Sequence, residues 1–199
     1  MAYLFETDEH AALRTQARRF AQAAIAPHAH RWDEDEEFPR ALYGELAAAG
    51  LMGVGYPEAV GGSGGDLGHV LAVAEELVVA GTSVGAVVGL GSHGIAAPPI
   101  VKFGTPAQQQ QYVAPVLAGT QVCALAITEP GGGSDVAGLT TRAVRDGDHY
   151  IVTGAKTFIT SGVRADWVLT AVRTGGPGHG GISFLVIERG RRASTSRRS

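Results

Sequence analysis

Apolar side chains recur at helical spacing over the first 120 residues and at strand spacing after them, so the chain divides into a helical and an extended part. Leu13, Ala17, Phe20, Ala21 and Ala24 share one helical face behind Thr7, a predicted N-cap, until Pro27 interrupts the pattern. A second helix is predicted from Pro39, whose fixed φ suits a first turn. It stacks Leu42, Leu46 and Ala49 and stops at Gly50. Residues 52–68 hold seven glycines and one proline and read as a connecting loop. Helical spacing resumes over 67–79, over 83–103, where Pro98 and Pro99 disturb it, and over 106–117.

The period changes at residue 121. Short β-rich runs follow at 122–128, 140–145, 150–153, 167–172 and 182–187, and Asp146-Gly147 between two of them is a hairpin signal. The boundary near Gly119 and Thr120 predicts an α+β chain: an all-α domain over 1–120, a β domain over 121–190 and a basic tail over 191–199. No internal repeat is visible.

Composition changes this picture little. Hydrophobic residues at 45% and charged ones at 18% fit a soluble globular protein with core enough for one large or two small domains. No apolar run is expected to reach the length needed to cross a bilayer, the first residues lack the basic flank and apolar core of a signal peptide, and a cytoplasmic location is expected. Charge is more informative. The net −3 hides five arginines and no acid in residues 189–199, which leaves −8 on the other 188 residues. An acidic body of this kind argues against a nucleic-acid surface. The tail contains R-R-A-S, similar to a basophilic kinase site, and its low complexity predicts disorder. Cys123 sits in an apolar run and is expected to be a buried, inert thiol.

The candidate chemistry lies in A-I-T-E-P-G-G-G-S-D-V-A-G, Ala126 onward, and in K-T-F-I-T-S-G, which begins at Lys156. An apolar strand runs into a polar pair, a proline and Gly131, Gly132 and Gly133, which lack Cβ atoms and let a bulky ligand approach the main-chain N–H groups. With Ser134 at its end, such a loop suits a phosphate or the polar edge of a ring. Neither the G-x-G-x-x-G nor the G-x-x-x-x-G-K-[ST] spacing is present, so a Rossmann or P-loop site is excluded. Thr128, Glu129, Ser134, Asp135 and Thr160 are placed near the ligand. Phe158 and Thr160, two apart on a predicted extended segment, would share one face and wall a flat heteroaromatic ring. The H-x-H pair His28 and His30, beside Asp33 and Glu34, reads as a solvated junction rather than a metal centre. His93 has no triad partners, and no metal is expected.

Both motifs closely resemble the flavin-binding signature of acyl-CoA dehydrogenases. The resemblance extends over nearly all of residues 5–190, including L-A-A-A-G-L-M-G-V-G-Y-P-E-A-V-G-G-S-G-G and G-T-P-A-Q-Q-Q-Q-Y-V-A-P-V-L-A-G-T. It implies an N-terminal all-α helical domain followed by an antiparallel β-barrel-like domain. It also implies an FAD cofactor, an acyl-CoA substrate, an acceptor similar to electron-transfer flavoprotein, and homo-oligomeric relatives. Leu125, Ala126, Ile127, Thr128, Gly131, Gly132, Gly133 and Ser134 would line the flavin and its pyrophosphate, with Thr128 at the pyrimidine edge and Ser134 also near the CoA chain. Phe158, Ile159 and Thr160 would flank the ring, the Thr160 hydroxyl near N5. Phe158 stands where the family often has Trp, and Gly132 where it often has Ala.

The family's catalytic glutamate belongs to a C-terminal helical domain, so no catalytic residue is expected in this stretch. After I-E-R-G, where relatives continue with T-P-G, the chain turns to arginine and serine, which reads as a frameshifted or prematurely ended frame and makes assembly of the fragment doubtful. The resemblance implies an FAD-dependent acyl-CoA dehydrogenase in truncated form. The alternatives are a related acyl-CoA oxidase or monooxygenase, and a non-catalytic flavin- or acyl-CoA-binding module that needs a partner subunit.

Overall fold

The computed structural model describes residues 6–190, so the basic tail over 191–199 lies outside the described residues. These residues form two compact units. One runs to Gly91 and resumes over Pro99–Gln121, and the other joins Ser92–Pro98 to the chain from Val122 onward.

In the first unit Thr7 is the N-cap of α1 (Asp8–Phe20), as its sequence position predicts. Asp8 and Glu9 in the first turn and Arg18 and Arg19 in the last complement the helix dipole. Pro27 has no N–H to give to the preceding turn, and the chain accommodates it with a π turn, Ala21–Ile25, and a 3-10 turn, Ala26–His28. It then re-enters α2 (Ala29–Glu34). Ala17, Ala21 and Ile25 are fully buried at four-residue spacing, and this path packs along α4 (Leu67–Gly81). A Cβ on Gly81 would lie 3.0 Å from Ile25, so the glycine sets how closely the two helical paths approach. Arg18 forks onto both oxygens of the buried Glu76 at 2.8 Å each, and Arg14 reaches Glu75 and Glu6 at 2.6 Å.

Between these helices, α3 (Ala41–Ala48) buries Leu42, Tyr43 and Leu46, and Gly50 at φ +71 turns the chain away. The glycine-rich connection that follows is ordered. A Cβ on Gly62 would lie 2.2 Å from the Tyr56 carbonyl oxygen, so only glycine fits there.

The apolar stretch Val84–Phe103 differs from the sequence expectation: at 20 residues and mean hydropathy 1.5 it is long and apolar enough to cross a membrane. It is not one straight helix. Breaks after Leu90 and Ala96 divide it into α5 (Val84–Leu90), α6 (His93–Ala96) and α7 (Pro98–Phe103). The last helical segment is α8 (Pro106–Gln108), a π turn over Gln109–Val113 and α9 (Ala114–Leu117).

The second unit is built on one five-stranded sheet: β1 (Cys123–Ala126), β2 (Arg142–Asp146), β3 (His149–Thr153), β4 (Trp167–Arg173) and β5 (Ile182–Glu188). The order is β1-β4-β2-β3, with β5 also paired to β4, and α6 packs against β1. The hairpin predicted at Asp146-Gly147 forms, with Asp146 opposite His149 and Gly147 at φ +63.

The expected antiparallel barrel-like domain is corrected by the pairing, because the sheet is mixed. β1 lies parallel to β4 from Cys123↔Trp167 to Ala126↔Thr170, and β2 meets β4 in parallel at Arg142↔Arg173. Only β2–β3 and β4–β5 are antiparallel. The physical reason is the long excursion between β1 and β4, which returns the chain to enter β4 in the same direction as β1. Antiparallel partners are joined by short turns, parallel ones by long crossovers. Trp167, Leu169, Ala171 and Val172 of β4 are buried, so the core of this unit sits on β4.

Candidate functional site

The first glycine-rich motif leaves the end of β1 as a tight turn. Glu129 and Gly132 exchange both main-chain hydrogen bonds, at 3.0 and 3.1 Å, so Pro130 and Gly131 form the tip of a two-residue loop. Gly131, Gly132, Gly133 and Ser134 are exposed, and no described residue accepts from the Gly131, Gly133 or Ser134 amides. A Cβ on Gly131 would meet nothing within 4 Å, and one on Gly133 would reach only the Thr128 methyl at 3.8 Å. The loop is open and presents unengaged main-chain donors.

The second motif comes to meet it. Thr157 N donates to Thr128 O at 3.0 Å, and Lys156 Nζ donates to Ile127 O at 2.8 Å and to Glu129 Oε1 at 2.9 Å. The structure therefore brings Ile127 and Thr128 beside the chain that leads directly into Phe158. Ile159 is half-buried against Gly162, and Thr160 is exposed. Leu125, half-buried, and Ala126, buried, lie in β1 and pair with Leu169 and Thr170, beneath the loop rather than within it.

Two expectations need correction. Residues 157–162 are not extended: Phe158 sits at φ +54 and Ser161 at φ +61, and Gly162 N closes a turn onto Ile159 O at 2.9 Å. Phe158 and Thr160 therefore do not share a strand face. A left-handed Phe is a strained conformation that folded proteins keep mainly at functional sites, and here the residue is 84% exposed.

Glu129, expected near the ligand, turns into the protein instead. It is 7% exposed, and its Oε2 accepts from Thr140 N and Oγ1 at 2.7 Å each while Oε1 accepts from Thr141 N at 2.8 Å and from Lys156. Burial alone would raise its carboxyl, but the hydrogen bonds from Thr141, Lys156 and Thr140 outweigh that and hold it far below the usual carboxylate range. Asp135 is exposed and caps the 3-10 turn Val136–Gly138, accepting from Gly138 N at 3.2 Å. Sequence reasoning overlooked Lys156, Thr140 and Thr141. The available signal was a lone lysine opening a motif with no other charge.

A second cluster of chemistry-bearing side chains lies in the helical unit: donor atoms of His10, Asp66 and His69 all lie within 4.8 Å of one another. The Thr7 amide donates to His10 Nδ1 at 3.1 Å and the Asp66 amide to His69 Nδ1 at 3.2 Å, as in a capping box with histidine in place of glutamate. The rings stack at 3.9 Å at the starts of α1 and α4. Two helix N-termini are a poor seat for a cation, and the Nδ1 atoms are already engaged by their own caps, that of His10 with the Thr7 amide and hydroxyl and that of His69 with the Asp66 amide and carboxylate. The cluster is read as a pair of helix caps.

Residues 7–120 match the family model described as the N-terminal domain of acyl-CoA dehydrogenase, and residues 124–199 match that of its middle domain. A probable acyl-CoA dehydrogenase of Bacillus subtilis, YngJ, is 37% identical over 91% of this chain and 48% of its own length. A crystal structure of a probable acyl-CoA dehydrogenase from Mycobacterium abscessus superposes with a TM-score of 0.94 at 52% identity, covering 97% of this chain and 52% of that one. A structure described as an FAD complex of PigA superposes with a TM-score of 0.88 at 26% identity, over 96% of this chain and 50% of that one. The chain spans about half the length of the curated relatives it matches.

Proposed function

Because the chain belongs to the acyl-CoA dehydrogenase family, we propose that it carries the FAD-recognition half of an enzyme that removes the α- and β-hydrogens of an acyl-CoA thioester. The observation that carries this reading is the convergence of the two motifs through Thr157 N and Thr128 O. It sets an open turn with unengaged amides beside an exposed, left-handed Phe158. These residues fit the cofactor. Gly131, Gly133 and Ser134 offer N–H donors to phosphate or the ring edge, Phe158 and Ile159 offer an apolar wall, and Thr128 and Thr160 offer hydroxyls.

When bound, FAD supplies the acceptor for the hydride that leaves the β-carbon. The part of the chain's own residues is to orient the ring, exclude water from one side and place donors where negative charge accumulates. Loss of the α-proton needs a carboxylate base within hydrogen-bond reach. Glu129 does not serve, since both its oxygens already accept from protein donors. This reading assigns the base to a glutamate outside residues 6–190, Ser134 to the CoA chain and an electron-transfer flavoprotein to the role of acceptor. A cytoplasmic location goes with it.

The test is a spectral titration of the FAD-loaded chain with short, medium and long saturated acyl-CoA thioesters. The expected result is a shift of the flavin bands without bleaching, and no reduction of an added electron acceptor. Steady turnover would place a base within these residues and overturn the assignment. An unchanged spectrum with every thioester would remove acyl-CoA as the substrate.

A further inference from the structure

Glu129 and Lys156 form a buried ion pair that none of the chemistry above uses, with side chains 7% and 10% exposed. Burying two charges costs more than their attraction returns unless every lone pair and proton is matched, so such a pair is weak evidence of stability for its own sake. Here Glu129 accepts four hydrogen bonds and Lys156 donates two, and their placement is informative. Five hydrogen bonds of 2.7 to 2.9 Å join Glu129 and Lys156 to each other, to Ile127 O, and to Thr140 and Thr141 at the entry to β2. One end of the network holds the glycine turn. The other holds the residue two before Phe158.

Phe158 needs such an anchor. A bulky side chain at φ +54 is strained, and it persists only where the surroundings over-determine the conformation. Its own packing cannot provide this, since the residue is 84% exposed. The ties immediately before it are Thr157 N to Thr128 O and the Lys156 pair.

We propose that Glu129 and Lys156 are positioning residues: their buried pair clamps the glycine turn to the Phe158 turn, so that two motifs distant in sequence present one preformed face to the flavin. The proposal rests on the FAD reading above. The clamp touches no cofactor atom and moves no proton. It stores the geometry that the loop residues use, and a disturbed loop loses cofactor affinity and spectral tuning together. Because the pair acts as a unit, removing both charges does no more harm than removing one.

The test uses the full chain as wild type, Lys156→Met, Lys156→Gln, Lys156→Arg, Glu129→Gln and the double variant Glu129→Gln/Lys156→Met. Amide hydrogen exchange without FAD reads the clamp alone. Lys156→Met and the milder Lys156→Gln are expected to accelerate exchange in residues 127–141 and 155–162 together, while β4 is unchanged. Acceleration across the whole chain marks a merely structural role. Acceleration confined to 155–162, or none, removes the coupling between the motifs. Any of these results overturns the proposal.

FAD titration by flavin fluorescence then reads the consequence. Each single neutralisation should weaken binding on the order of tenfold to a hundredfold, in line with the cost of small misplacements at a site. The double variant should match the worse single one, and Lys156→Arg should recover most of the affinity and the wild-type band shape. Additive losses in the double variant, or unchanged affinity throughout, contradict the clamp. If wild type itself binds no FAD, the functional reading fails, while the exchange experiment still decides whether the clamp exists.

Discussion

Cys123 lies 1% exposed in β1, and burial pushes its thiol up to about 12, so at neutral pH it is almost entirely protonated and poorly nucleophilic. Alkylation by iodoacetamide is expected to be negligible in the native chain and fast once denaturant unfolds the second unit, and rapid native labelling would contradict the burial. Glu129 behaves in the opposite sense. Its folded carboxyl is held below the unfolded value of 4.5, so the stability it contributes is complete above that value and is lost progressively as the pH falls below it. Wild type should therefore lose unfolding temperature below about pH 4.5 more steeply than Glu129→Gln, measured from neutral to acid. Residue types were legible in sequence, but their directions were not. Glu129 and Asp135 stood beside a glycine loop and read as ligand-facing, whereas Glu129 turns to Lys156, whose partner lies 27 positions away.

Helix starts were the most legible elements, because a cap is a local event. Ser83, 1% exposed, accepts from Ala86 N at 3.2 Å and donates to Asp33 Oδ1 at 3.1 Å. Ser83→Ala should cost about 1 kcal/mol through the cap alone, a fall in unfolding temperature of roughly 2–4 °C in calorimetry. An unchanged midpoint would show that the cap contributes nothing. The strands were legible from their β-branched runs and the Asp146-Gly147 turn. Their directions were not, because the parallel pairing of β1 with β4 is decided by how the intervening chain returns. Residues 157–162 were misread as extended, because alternation of side-chain type carries no information on a positive φ held by bonds from another segment.

At the scale of the whole molecule, the change of period near residue 120 falls close to the break between units after Gln121. The membership of Ser92–Pro98 in the second unit was not legible, since a short helix has the same pattern whichever unit it packs on. The helical unit also carries an exposed apolar face. Leu67, Val70 and Leu71 occupy one side of the first turns of α4 at 71%, 38% and 46% exposure. Contiguous apolar surface of this kind promotes association. Leu67→Glu/Leu71→Glu is expected to reduce concentration-dependent self-association in sedimentation velocity without lowering the unfolding temperature, whereas a large thermal loss would show that these side chains pack in the isolated chain.

The central claim is that two motifs, one after β1 and one before β4, build a single flavin surface. Equilibrium FAD binding by the 199-residue chain tests it most directly, with Gly132→Val altering one motif and Thr160→Val the other. The account predicts saturable binding of one flavin per chain, weakened by either change alone and with altered visible bands in both variants. Binding indifferent to both changes, or no binding by the wild-type chain, would contradict it.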